Sequence, residues 1–165
     1  MTKILYGTEV AARLDAATEE DVNLLKEDGI FPCLAVIRVG ENPDDAAYEK
    51  QVIRKAEQVG VIVQKMKLDE SAAKEELIAL IHRMNQDGSI HGVLLLRPLP
   101  PRMEENKIRN LLAPEKDIDG MTDLSLAGVF CDSRVGFPPC TAQACMEILH
   151  DDADQIGRAS CRERV

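Results

Sequence analysis

Gly92-Val93-Leu94-Leu95-Leu96-Arg97-Pro98-Leu99-Pro100-Pro101 is a short apolar run that breaks into a proline-rich loop. It follows the polar Asp87-Gly88-Ser89-Ile90-His91 and leads, through one short charged helical pattern, to Ala113-Pro114-Glu115-Lys116-Asp117-Ile118-Asp119-Gly120. A buried strand that ends in a proline loop and then an acidic turn is the layout of an α/β site. Ligands of open α/β sheets sit outside the carboxyl ends of the strands, and loops on a rigid scaffold carry the chemistry. The rest of the chain is placed around this edge.

Towards the N-terminus the pattern alternates helix and strand. Thr8 to Asp28 keeps Val10, Leu14, Ala17, Val22 and Leu25 near one stripe, with Gly29 placed to end an amphipathic helix. Cys33 to Val39 is a mostly apolar, β-branched run between Pro32 and Gly40. It predicts a buried parallel strand. Gly40 to Asp45 forms a turn, with Asp44 or Asp45 as the expected cap of a helix that stops at Gly60. Val61 to Leu68 predicts a second strand. A third helix begins at Asp69-Glu70-Ser71 and carries Leu77, Ile78, Leu80, Ile81 and Met84 on its apolar face. Gly92 to Leu96 is then the third strand. This order predicts βαβ units with right-handed crossovers: an α/β, three-layer domain with a mainly parallel sheet and flanking helices.

Beyond Met121 the signal weakens. Val129-Phe130-Cys131 reads as a short extended piece, and Pro138-Pro139-Cys140-Thr141 starts a helix that runs to about Leu149. The expected organisation is a domain over residues 1–150 and a tail over 151–165. Ile156 to Val165 has three arginines and no apolar periodicity, as expected of an artefactual or truncated end.

Composition excludes several classes. The 165 residues carry a net charge of −9, which argues against nucleic acid or an anionic membrane as partner. No apolar run is long enough to span a bilayer, so a cytoplasmic chain is expected. Cys33, Cys131, Cys140, Cys145 and Cys161 form no CxxC pair and read as reduced thiols. His82, His91 and His150 share no ligand spacing, and no metal site is expected.

Four blocks carry a resemblance to a known family. They are Leu34-Ala35-Val36-Ile37-Arg38-Val39-Gly40 with Pro43 and Tyr48; Gly92 to Pro100; Pro114-Glu115-Lys116-Asp117-Ile118-Asp119-Gly120; and Pro139-Cys140-Thr141. In this order they resemble the folate-binding catalytic domain of the bifunctional methylenetetrahydrofolate dehydrogenase/methenyltetrahydrofolate cyclohydrolase family. The resemblance implies a tetrahydrofolate derivative as ligand and NADP as cofactor. It also implies one-carbon metabolism feeding purine biosynthesis, and a homodimer for the full-length protein. The NADP-binding Rossmann domain is expected to be absent. Gly157-Arg158-Ala159-Ser160 follows Thr141 too closely and lacks the strand that a phosphate-binding turn needs.

The resemblance also places a site. Tyr48 matches a folate-facing tyrosine, and Asp119 matches an aspartate that binds the pterin ring. The alternative for Asp119 is a turn residue bonding its own backbone. The family's proton-handling lysine, one helical turn beyond the tyrosine, falls on Val52. The strand-end glutamine that supports it falls on Leu96, and a serine falls on Asp45. Valine and leucine have no proton to move. Either the chain is a diverged form that keeps folate binding, or the activity is lost and a non-catalytic folate-binding or interaction domain remains. An incompletely folded fragment is a third reading. Arg54 and Lys55 are the nearest cations, but Lys55 lies about 10 Å along the axis from Tyr48. Arg97 has two readings, a solvated strand-end cation and a partner for the glutamate tail of folate. Asp117 and Thr141 read as turn or cap residues and Cys140 as a buried thiol.

Overall fold

The computed structural model describes residues 4–152. In chain order the elements are α1 (Thr8–Glu27), β1 (Cys33–Val39), α2 (Pro43–Gln58), β2 (Ile62–Leu68), α3 (Lys74–Gln86), β3 (Gly92–Leu95), α4 (Glu105–Arg109), α5 (Asp123–Phe130) and α6 (Cys140–Asp152). The sheet is parallel with order β2-β1-β3. The α/β class, the parallel sheet and the strand order along the chain are as the sequence pattern predicts.

Side-chain alternation along β1 divides the core in two. Cys33, Ala35, Ile37 and Val39 face α3, where they pack with Leu77, Leu80, Ile81, Met84, Val93 and Leu95. Val36 faces the other way, with Leu94, Leu96 and the half-buried Leu34, Val63 and Val52 of α2. Helices therefore cover both faces. Each fully buried Ile or Leu contributes about 1.5–3 kcal/mol, so the larger α3 face dominates stability and the thin α2 face is the one that can carry a site. β2 is an edge strand, and its exposed Gln64, Lys65 and Lys67 suit that position.

The helix ends explain where the sequence reading shifts. Asn42, not Asp44 or Asp45, caps α2: its Oδ1 accepts from the Asp44 N–H at 2.9 Å, and Pro43 occupies the first helical position. Asp69 does not start α3. It accepts from the Ser71 N–H at 2.8 Å and closes a turn, and the helix begins at Lys74 with Glu76 accepting from the Ala73 N–H. The Val129-Phe130-Cys131 run is the end of helix α5, not an extended piece. α5 is inverted in polarity. It buries Ser125 and Gly128 and exposes Leu124, Leu126, Val129 and Phe130, so its apolar content gives no helical stripe. The signal that finds it is Thr122, whose hydroxyl accepts from the Ser125 N–H at 3.1 Å. The basic tail from Ile156 to Val165, with Cys161, lies outside the described residues.

Candidate functional site

Parallel pairing brings the ends of β1 and β3 to one edge, with Ile37 beside Leu95. The Gly40–Asn42 turn then sends α2 back across the sheet. The first turn of α2, with Asp44 and Asp45, and Tyr48 one turn on therefore stand at that edge. A buried ion pair fixes α2 there: Arg38 Nε lies 2.5 Å from Glu49 Oε2, and Arg38 also donates to the Gly40 carbonyl at 2.8 Å. Glu49 is the next residue after Tyr48, so the pair sets where the tyrosine sits.

The acidic turn arrives from the other side. Asp117 forms an isolated parallel bridge with Val93 on the free edge of β3. Two residues later, Asp119 reaches the carboxyl end of the strand. A Cβ on Gly92 would stand 2.6 Å from Ile118 Cγ2, so only glycine lets the turn lie this close. Gly120 has φ 61°, and a Cβ there would meet the Phe137 carbonyl oxygen at 2.6 Å. Asp117 is fully buried. Its carboxylate accepts from the Met121 N–H at 3.1 Å, the Thr122 N–H at 2.8 Å and the Ser125 hydroxyl at 2.7 Å. The turn reading of Asp117 holds, and its carboxylate locks the acidic turn to α5.

Asp44, Asp45, Tyr48, Leu94, Leu95, Leu96, Arg97 and Asp119 together line a pocket of about 290 Å³. Four of the five site residues predicted from sequence meet here. The fifth, Val52, is not among the lining residues; it packs against the apolar cluster that holds Leu96. At the two positions where the resemblance implies a lysine and a glutamine, this chain has two apolar side chains that join one cluster. Changing one polar partner alone strands the other without a hydrogen bond, so a joint change is the chemically consistent one.

Arg97 is the one cation among the lining residues. Its guanidinium lies 3.4 Å from Asp119 Oδ2 and 3.6 Å from Glu105 Oε1. Glu105 also accepts from the Leu99 N–H at 2.9 Å, which ties the proline loop to α4. Sequence reading missed Glu105, since nothing in a short charged helix marks one acid as the loop's anchor. The Arg97–Pro98 peptide is cis. Asp45 is half-buried and, among the described residues, has neither an ion pair nor a side-chain hydrogen bond. The Tyr48 phenol is raised above its ordinary value, first by burial and then by the Asp119 and Cys140 charges. Cys140 is exposed rather than buried, and its thiol donates to the Ile118 carbonyl. Desolvation, followed by Asp119 and Asp117, raises that thiol. Thr141 sits inside the first turn of α6 and is not its cap.

A larger groove of about 860 Å³ runs between α1 and α2, with Val52, Arg54 and Lys55 in one wall and Asp15 in the other. Lys55 pairs with Asp15 across it, so it is not a substitute at the Tyr48 pocket. The smaller pocket gathers the residues with site chemistry, and the groove does not. His91 has a structural part, its Nδ1 accepting from the Cys33 N–H at 3.2 Å. Among the described residues no three His, Cys, Asp or Glu side chains are grouped to hold a metal ion. No helix among them is long and apolar enough to cross a membrane. The strand-to-helix turns after β1, β2 and β3 carry no glycine-rich phosphate loop, so these residues do not fit a dinucleotide.

Comparison with known proteins gives consistent matches. The family model for tetrahydrofolate dehydrogenase/cyclohydrolase, catalytic domain, matches residues 5–119. The bifunctional protein FolD of Clostridium botulinum (strain Langeland) is 40% identical over 163 residues, covering 96% of this chain and 56% of that protein. FolD 1 of Desulfitobacterium hafniense is 39% identical over 149 residues, covering 90% of this chain and 53% of its own length. The chain thus spans about half the length of the curated relatives it matches. Among solved structures, the bifunctional FolD of Campylobacter jejuni superposes with a TM-score of 0.86 at 33% identity, over 88% of this chain and 52% of that one. The Trypanosoma brucei enzyme, solved with NADP and an inhibitor, gives 0.86 at 25% identity, over 95% of this chain and 54% of that one.

Proposed function

The chain belongs to the tetrahydrofolate dehydrogenase/cyclohydrolase family, and on that premise we propose that residues 1–150 are the folate-binding catalytic domain of a one-carbon enzyme. The observation that carries this is the meeting of Tyr48, Leu96, Arg97 and Asp119 around one pocket at the carboxyl edge of the sheet. The Asp119 carboxylate accepts from the N–H donors of a pterin ring in charge-assisted hydrogen bonds. Tyr48 offers its ring to the folate, and Arg97 offers a cation to the carboxylates of its glutamate tail.

The full-length protein, on this reading, interconverts methylene-, methenyl- and formyl-tetrahydrofolate in the cytoplasm as a homodimer, and so supplies purine biosynthesis. The hydride acceptor, NADP by the family resemblance, would have to be held outside the residues described here. The residues described here would hold and orient the folate, and none of them is assigned to the nucleotide.

The test is binding of 5,10-methenyltetrahydrofolate or a stable folate analogue, with Asp119→Ala beside the parent chain. Loss of about 1–3 kcal/mol on substitution, the range for a hydrogen bond to a charged group, is the expected result. A cooperatively folded chain that binds neither ligand overturns the proposal. The apolar character of Val52 and Leu96, which join one cluster, favours a second reading, a folate-binding domain without chemistry. Under that reading the chain binds the analogue and never hydrolyses the methenyl bridge.

A further inference from the structure

The α2 position that the family resemblance assigns to a proton-moving lysine is Val52, half-buried against an apolar cluster. Some other group must handle the proton if the methenyl bridge is to be opened here. The titratable groups lining the pocket are Asp44, Asp45, Tyr48 and Asp119, and Arg97 is a fixed cation among them. Tyr48, as any ordinary phenol, holds its proton at neutral pH and is no base there; burial and the Asp119 charge raise it further. Asp119 faces Arg97 and, on the folate reading, the pterin. Asp44 is the more exposed of the two α2 acids. That leaves Asp45: half-buried, three residues before Tyr48 on one helix face, and without a partner among the described residues.

We propose that Asp45 is the base that activates water for hydrolysis of the methenyl bridge, in place of the family's lysine. The inference rests on the folate reading of this pocket. The methenyl bridge is an amidinium cation, so a carboxylate beside it also matches its charge. Water oxygen adds to the bridge carbon, and Asp45 takes one water proton. The hydroxyl of the adduct then loses its proton to solvent as the carbonyl forms and the carbon–N5 bond breaks. Asp45 returns its proton to N5. The sum is methenyltetrahydrofolate cation plus water giving 10-formyltetrahydrofolate plus one proton, with no oxidant or reductant.

The experiment follows loss of the methenyl chromophore of 5,10-methenyltetrahydrofolate for the chain and for Asp45→Asn, Asp45→Ser and Asp45→Glu. Binding of a stable folate analogue is measured on the same samples. General-base contributions are typically about 100-fold or more. Asp45→Asn and Asp45→Ser are therefore expected to lose about that factor while keeping analogue affinity within about threefold, and Asp45→Glu to recover most of the rate. Hydrolysis by Asp45→Asn at the parent rate overturns the proposal, as does a parent chain that binds the analogue but does not exceed the solvent rate. Failure to bind the analogue at all would instead overturn the folate reading, and this inference with it.

Discussion

Arg97 Nη2 lies 3.4 Å from Asp119 Oδ2, across the mouth of the pocket that both residues line. The contact is long for a charge-assisted hydrogen bond, and each side chain is about one-third exposed. Such a pair is worth little to stability and is available for exchange. A ligand with a donor for Asp119 and an anion for Arg97 replaces one internal contact with two external ones.

The first expectation follows from that exchange. Arg97→Met should weaken an analogue that carries the glutamate tail by about fivefold, equivalent to about 1 kcal/mol for a partly exposed ion pair. A tail-free pterin should bind Arg97→Met no more weakly than the parent, because Asp119 loses its competitor. Equal losses for both ligands would remove the tail from Arg97's role. Calorimetric titration of the two ligands decides it.

Val52 and Leu96 share one apolar cluster, so polar substitutions there are coupled. Leu96→Gln alone places an amide at a site only 6% exposed, at a cost of about 1–3 kcal/mol. Val52→Lys alone brings an unpaired ammonium against the same surface. The double variant should be more stable than the sum of the singles by about 1 kcal/mol or more, because the amide and the ammonium partner each other. Urea melts of the four proteins measure this. The double variant should also hydrolyse methenyltetrahydrofolate when Asp45 is asparagine.

Asp117→Ala removes three hydrogen bonds to a fully buried carboxylate and leaves the Met121 and Thr122 N–H groups without an acceptor. At about 1.5–3 kcal/mol for hydrogen bonds to charged groups, a loss of about 3–5 kcal/mol is expected. Asp119→Ala, at the half-exposed rim, should cost far less. Denaturant midpoints of the pair separate the residue that holds the turn from the one that the turn presents.

Tyr48 gives a pH dependence with a definite sign. Its folded pKa is raised above the ordinary value of about 10, first by burial and then by Asp119. The stabilisation from keeping the phenol protonated is therefore fully present below about pH 10 and is lost as pH rises through the folded value. Tyr48→Phe should flatten that alkaline fall. Asp119→Asn should lower the Tyr48 phenolate transition without returning it to the ordinary value, since burial is the larger cause. Ultraviolet titration of phenolate reads both.

The sheet was legible because its signals are local. β1 runs over Cys33–Val39 as read, since a β-branched apolar run between Pro32 and Gly40 leaves no other choice. α3 shows its core face in the spacing of Leu77, Ile81 and Met84. α5 was not legible, because it turns its small residues inward and defeats any periodicity test. The site divides in the same way. Tyr48, Arg97 and Asp119 are motif residues and were named, while the anchoring part of Glu105 and the lack of a partner for Asp45 among the described residues depend on tertiary placement. Val52 and Leu96, on a helix and at a strand end, join one apolar cluster that no local spacing rule predicts, and only the family resemblance linked the two positions.

β1 is hydrogen-bonded on both sides and covered on both faces, so its amides should exchange with solvent deuterium only when the whole domain unfolds. Asp119 stands in a turn that meets the sheet through one bridge and is otherwise anchored by the Asp117 carboxylate, and Arg97 stands on a loop whose Leu99 N–H is tied to Glu105. The floor of the pocket and its rim thus belong to different opening units. The rim side chains can exchange partners at little cost while the floor stays shut, which gives a ligand a way in without melting the sheet it rests on.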